Sequence, residues 1–147
     1  EGKTRLISAT EPNLQSGALL AMVDEVSKPH PLDASRFYVT GLSMGGFGTF
    51  DILGRAPEKV AAALPVCGGG DTKLVSRYKD VPLWAFHGDK DPTVPLSASE
   101  TMIEALKAAG GEPKLTIYPG VKHDSWTQTY ANPEATRWLS SHRKKTP

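Results

Sequence analysis

Residues 36–53, Arg-Phe-Tyr-Val-Thr-Gly-Leu-Ser-Met-Gly-Gly-Phe-Gly-Thr-Phe-Asp-Ile-Leu, read as a strand, a tight turn and a helix. The turn, Gly41-Leu42-Ser43-Met44-Gly45-Gly46, fits the pattern G-x-S-x-G. Strand, turn and helix in that order are the context a nucleophile elbow requires. A sharp turn lifts the serine off the strand end and leaves its hydroxyl exposed. The flanking positions must be small, because the helix packs back against the strand there. The N–H of the next residue, Met44, then points at where an oxyanion would form. Alone, the five-residue pattern is a weak signal, since a glycine-rich turn with an incidental serine also produces it.

Working outward from the turn, Pro57 stops the helix. Residues 60–66 form a continuous apolar run that ends in Pro65-Val66-Cys67-Gly68-Gly69-Gly70. Such runs suit a strand buried on both faces. Residues 83–87, behind Pro82, and 114–118 are two further buried-strand candidates. Residues 71–80 read as a short polar helix or loop. Ser97 and Glu100 form a capping box for a helix that runs to Gly110-Gly111. Asn132-Pro133-Glu134 reads as N-cap, first helical residue and first-turn acid of a final helix, with Trp138 and Leu139 inward.

On the N-terminal side, Asp33-Ala34-Ser35-Arg36 is a turn into the strand at 36–41. Before it, a helix over 17–28 is capped by Ser16 and ended by Pro29 and Pro31. Leu19, Met22, Val23 and Val26 form its apolar stripe. Residues 1–17 are otherwise irregular, apart from a strand-like patch at Arg5-Leu6-Ile7. Strands alternating with helices of this length imply βαβ units, and so a parallel sheet with helices on both faces. Ligands bind such sheets beyond the carboxyl ends of the strands.

Length and composition narrow the classes. The 147 residues predict one domain, 1–147. The apolar share of 39% and charged share of 22% fit a soluble globular protein. A net charge of +1 gives no field that favours nucleic acid or an acidic membrane surface. No apolar run approaches the ~20 residues of a membrane-spanning helix. Cys67 is the sole cysteine, which leaves no internal disulfide and no multi-cysteine metal cluster. Arg143-Lys144-Lys145 reads as the charged last turn of the final helix. The chain begins at Glu1, so the expectation is an N-terminus processed, trimmed or cut from something longer. The compartment stays open, with secretion or a periplasmic location both compatible.

Two further loops follow strands at the same sheet end: His87-Gly88-Asp89-Lys90-Asp91-Pro92-Thr93-Val94-Pro95 and Gly120-Val121-Lys122-His123-Asp124-Ser125-Trp126. A serine, an acid and a histidine thus each follow a separate strand, in the chain order of α/β-hydrolases. With the serine turn and Pro65-Val66-Cys67-Gly68-Gly69, these segments resemble the C-terminal part of an α/β-hydrolase of the carboxylesterase, phospholipase and prolyl-oligopeptidase-like esterase group. The likeness spans about residues 17–143. It implies an α/β fold, a parallel sheet flanked by helices, here lacking the N-terminal strands of the family. It places the nucleophile on Ser43, the base on His123 and the acid on Asp91, with the Met44 N–H in the oxyanion hole. Trp126 is an even choice between a pocket wall and loop packing.

The likeness implies hydrolysis of carboxylic esters, short-chain acyl or aryl and feruloyl types first, through an acyl-enzyme. It implies a small-molecule ester substrate, no metal and no organic cofactor. A prolyl-oligopeptidase-like peptidase is the nearest enzymatic alternative, and a catalytically silent interaction module the alternative of another class. Serine in the nucleophile slot argues against the dienelactone hydrolases, which share the fold and place cysteine there. The family draws a second oxyanion N–H from a loop before the elbow strand, and nothing upstream of Ser43 looks like that loop. The expectation is therefore the C-terminal portion of a larger hydrolase, its other half a second chain or a segment not included.

Other residues have simpler readings. Spacing to Val94-Pro95 favours Asp91 over Asp89 as the acid. Asp124 is a turn or cap residue, His87 a hydrogen-bonded structural histidine, and His30 and His142 surface residues. Cys67 packs as a small apolar group, and Trp84 is core.

Overall fold

A computed structural model describes residues 14–144, so the patch at Arg5-Leu6-Ile7 and the tail residue Lys145 lie outside the described residues. Four parallel strands, β1 (Tyr38–Leu42), β2 (Ala62–Val66), β3 (Trp84–Gly88) and β4 (Lys114–Tyr118), form one sheet in the order β1-β2-β3-β4. The helices are α1 (Leu14–Ser27), α2 (Met44–Arg55), α3 (Val75–Tyr78), α4 (Ser97–Ala108), α5 (Trp126–Ala131) and α6 (Pro133–Ser141).

Side chains alternate across the central strands, which divides the core in two. Ala63, Leu83 and Ala85 face α2, α3 and α4 and meet Phe50, Leu53, Tyr78, Met102 and Leu106. Leu64, Val66, Trp84 and Phe86 face the other way, where Ala135, Trp138 and Leu139 of α6 and Trp126 of α5 cover them. β2 and β3 are buried at every position, as their unbroken apolar runs require. β4 is not the buried strand expected. It is an edge strand among the described residues, with Lys114 and Ile117 exposed and the rest half-buried.

The helix starts also depart from the sequence reading at two places. α1 begins at Leu14, so Ser16 lies inside it and caps nothing. The Ser16 hydroxyl donates instead to Asp51 of α2, and Lys59 Nζ meets Asp24 Oδ1 at 2.5 Å. α1 docks through these polar contacts and Leu20. Leu19, Met22 and Val26 of the apolar stripe are left 44%, 56% and 51% exposed. At α4 the cap residue is Leu96, already helical, and no side-chain cap bond forms. Asn132 does cap α6, accepting from the Glu134 N–H at 2.9 Å. The 71–80 segment is helical in part and turns Leu74, Val75 and Tyr78 inward, so it is less polar in role than in composition.

Arg143 and Lys144 lie past the end of α6 and do not form its last turn. Arg143 Nη1 reaches Asp33 Oδ2 at 2.8 Å, and the Lys144 N–H donates to Ser35 O at 2.8 Å. Tyr38 Oη donates to His142 O at 2.8 Å. The end of the described chain is thereby latched to the turn that feeds β1.

Candidate active site

The site is built where β1, β3 and β4 end. At the β1 end, Ser43 takes φ 52° and ψ −117° and opens α2. That backbone is strained for a residue with a Cβ and persists only where neighbours fix it. Here the Ser43 N–H donates to Val66 O at 3.0 Å and faces Cys67 Sγ at 3.3 Å. The small residues have a measurable reason. A Cβ on Gly41 would collide with Gly45 O, and one on Gly46 with Val66 O. Met44 is the first residue of α2, where N–H groups point out of the helix end unpaired within it.

The loops after β3 and β4 are stitched together before they meet the serine. The Lys90 N–H donates to Val121 O at 2.9 Å, and Asp89 Oδ1 accepts the Gly120 N–H at 2.6 Å. Gly88 allows the approach, since a Cβ there would strike Val121 O. Asp91 is then held from both sides. Its Oδ1 accepts the N–H groups of Thr93 and Val94 at 2.8 and 2.9 Å, and its Oδ2 lies 2.7 Å from His123 Nδ1. His123 Nε2 lies 2.9 Å from Ser43 Oγ. Hydroxyl, imidazole and carboxylate thus touch in series, although Ser43 and His123 are 80 positions apart.

The electrostatics follow from burial and partners. The Asp91 side chain is fully buried and that of His123 is 22% exposed. Burial pushes the Asp91 carboxyl up, but the hydrogen bond from His123, the two backbone N–H groups and the His123 charge outweigh it. The carboxyl is held below its ordinary value. Burial pushes the Cys67 thiol up, which keeps it neutral and unreactive. Ligand atoms of Cys67, Asp91 and His123 lie within 4.8 Å of one another, a set able to hold a metal. The Asp91 and His123 atoms in it are already engaged in the hydrogen-bonded series. A cavity of about 650 Å³ opens beside Ser43, lined by Thr40, Met44, Phe47, Phe50 and Leu19 among others.

The remaining expected residues fall as follows. Asp89 joins the two loops and does not touch His123's ring nitrogens in the series. Asp124 Oδ1 accepts from Thr127 Oγ1 at 2.6 Å, a local side-chain contact just before α5, whose N-cap residue Ser125 makes no side-chain cap bond. Trp126 stands edge-on to His123, ring centroids 5.2 Å apart, and packs the imidazole from the start of α5. His87 is wholly buried and hydrogen-bonded. His30 is exposed, but His142 is half-buried, its ring edge-on to Trp138 with centroids 4.5 Å apart. Trp84 is core, its Nε1 donating to Thr116 Oγ1 at 2.9 Å. Cys67 packs as expected, but sequence reading missed its position against the Ser43 amide and its φ of 41°. It also missed the two amides on Asp91, for which Asp-x-Thr, a common Asx-turn pattern, is the available signal.

This parallel sheet with a serine turn at its first strand is the α/β-hydrolase fold. Its similarity to known proteins is extensive, and the chain belongs to the dienelactone hydrolase family, whose model matches residues 4–142. The expectation that the serine at position 43 argues against that family is therefore corrected. Membership rests on a pattern across the whole chain, and one residue in one slot does not set it. A solved thermostable esterase superposes with a TM-score of 0.87 at 38% identity, over 90% of this chain and 38% of that one. The bifunctional acetylxylan esterase/xylanase XynS20E of Neocallimastix patriciarum is 30% identical over 70 residues, 48% of this chain and 10% of that protein. The acylamino-acid-releasing enzyme of Arabidopsis thaliana is 30% identical over 145 residues, 71% of this chain and 19% of that protein. The chain spans no more than about half the length of the first curated relatives it matches, 10%, 48% and 12%.

Proposed function

We propose that this chain carries the acyl-transfer site of a serine-dependent carboxylic ester hydrolase. The observation that carries the reading is the unbroken series from Ser43 Oγ to His123 Nε2 at 2.9 Å and from His123 Nδ1 to Asp91 Oδ2 at 2.7 Å. In that reading Ser43 Oγ attacks the ester carbonyl carbon as His123 Nε2 takes its proton. The tetrahedral oxyanion is stabilised by the Met44 N–H, and collapse expels the alcohol, which receives the proton from His123. Water then enters by the same route and releases the acid. Asp91 keeps the Nδ1–H tautomer of His123 and stabilises the imidazolium. The cavity of about 650 Å³ that reaches Ser43 mixes apolar side chains such as Leu19, Met44 and Phe47 with polar ones such as Thr40 and Asp71, and its wall next to Ser43 is open to a small acyl group. The likeness to an acetylxylan esterase/xylanase favours acetyl esters.

A peptidase is the second reading, favoured by the likeness to an acylamino-acid-releasing enzyme. A fluorophosphonate probe tests the serine mechanism. Labelling at Ser43 that Ser43→Ala abolishes supports it, whereas an unlabelled, folded protein favours the silent interaction module. Burst kinetics on a p-nitrophenyl ester, compared with turnover of a proline amide, separates esterase from peptidase.

A further inference from the structure

His87 is the buried titratable group that the proposed chemistry leaves unused. It sits near the end of β3, facing α4, with no solvent exposure. Both ring nitrogens are engaged. Nδ1 lies 2.8 Å from Ser99 Oγ, and Nε2 lies 3.0 Å from Val94 O. Nε2 also lies 3.4 Å from Asp91 Oδ2, the same oxygen that faces His123. A carbonyl and a carboxylate only accept hydrogen bonds. A bare lone pair on Nε2 would meet two acceptors in a dry site, so Nε2 carries a proton. On the other side of the ring, the Ser99 hydroxyl donates its one proton to Gly68 O at 2.8 Å, so at the 2.8 Å contact with Nδ1 its oxygen accepts from the ring. Gly68 packs directly beneath the serine turn, where a Cβ on it would collide with the backbone of Gly46.

One chain of contacts therefore runs from the acid loop, through His87 and Ser99, to the segment under the nucleophile. We infer that His87 is a positioning residue whose Nε2–H is a second donor to Asp91 and whose ring, with Ser99, keeps the acid loop in register with the Ser43 turn. The Thr93 and Val94 amides fix Asp91 Oδ1 within its own loop, but they do not fix that loop relative to β2. The His87–Ser99–Gly68 link does. This inference rests on the serine-hydrolase reading above.

Two substitutions separate the ring's halves. A glutamine amide can place an N–H near the Nε2 position, whereas an asparagine amide reaches only the Nδ1 position. In the protein as isolated, assayed on a p-nitrophenyl ester, His87→Asn lowers kcat about 10- to 100-fold with KM unchanged, the cost of a small displacement of reacting groups. His87→Gln recovers most of that loss. Side-chain ¹⁵N–¹H spectra of the wild-type protein show a proton on His87 Nε2, and one on Nδ1 as its contact with Ser99 requires. Equal kcat in the two variants, or a wild-type Nε2 without a proton, overturns the inference. If neither variant folds, the wild-type spectrum decides alone. An esterase activity that survives Ser43→Ala refutes the hydrolase reading itself, while a Ser43-dependent esterase indifferent to both His87 variants refutes only this inference.

Discussion

The loop after β3 and helix α1 make opposite use of their side chains. In the β3 loop every polar group of consequence has a partner: Asp91 accepts from two amides and meets His123, and His87 is bound at both nitrogens. In α1 the larger apolar side chains Leu19, Met22 and Val26 face outward, and the helix is held by Ser16, Leu20 and Asp24. The first region is preorganised, which is what stabilising charge in a transition state needs. The second leaves an apolar face uncovered among the described residues, next to the cavity that opens at Ser43. Rigidity is thus concentrated where chemistry is proposed, and the adjoining wall is only lightly packed.

Substitutions can break that contrast, beginning with the most severe. Ser43→Ala and His123→Ala each lower kcat by about four to six orders of magnitude, and Asp91→Asn by about four, measured by ester turnover with folding checked by circular dichroism. A modest loss in any of them would mean that the preorganised loops serve something other than this chemistry. Next comes the shared core. Leu53, with no exposed surface, should lose about 2–5 kcal/mol on Leu53→Ala in chemical denaturation.

Acid sharpens the picture of the β3 loop. The Asp91 carboxyl sits below its ordinary value of 3.8, because its hydrogen bonds favour the charged form. Its contribution to stability is present above the unfolded value and lost as pH falls through the lower folded one. The thermal-stability advantage of wild type over Asp91→Asn should therefore hold from neutral pH down to about 4 and shrink below it. The smallest effect is expected in α1. Leu19→Gln and Met22→Gln should each change stability by no more than about 0.5 kcal/mol. A cost near that of Leu53→Ala would show that this face is covered in the protein as isolated.

Local pattern made most of the architecture legible before any coordinates. The unbroken apolar runs at β2 and β3, the Asn132-Pro133 start of α6 and the G-x-S-x-G turn each carry their cause within a few residues, so they read correctly. The burial of β4 and the direction of the α1 stripe did not. Periodicity says that a face is apolar, not whether another element lies against it, and here α1 meets α2 through a Ser16–Asp51 contact 35 positions apart. The capping box at Ser97 failed for a related reason, since the helix starts from Leu96 and the nearby Ser99 is drawn inward to His87.

The amino-acid order by itself determined the strand-turn-helix grammar, the family likeness and the three residue types that stand after three strands. Tertiary structure alone decided that Asp89 ties the two loops together, that Cys67 lies against the Ser43 amide, and that His87 stands behind the acid. Those outcomes depend on distances between segments far apart in the chain. Such distances are set by sheet register and by the close backbone approach at Gly46, Gly68 and Gly88, which no local pattern encodes.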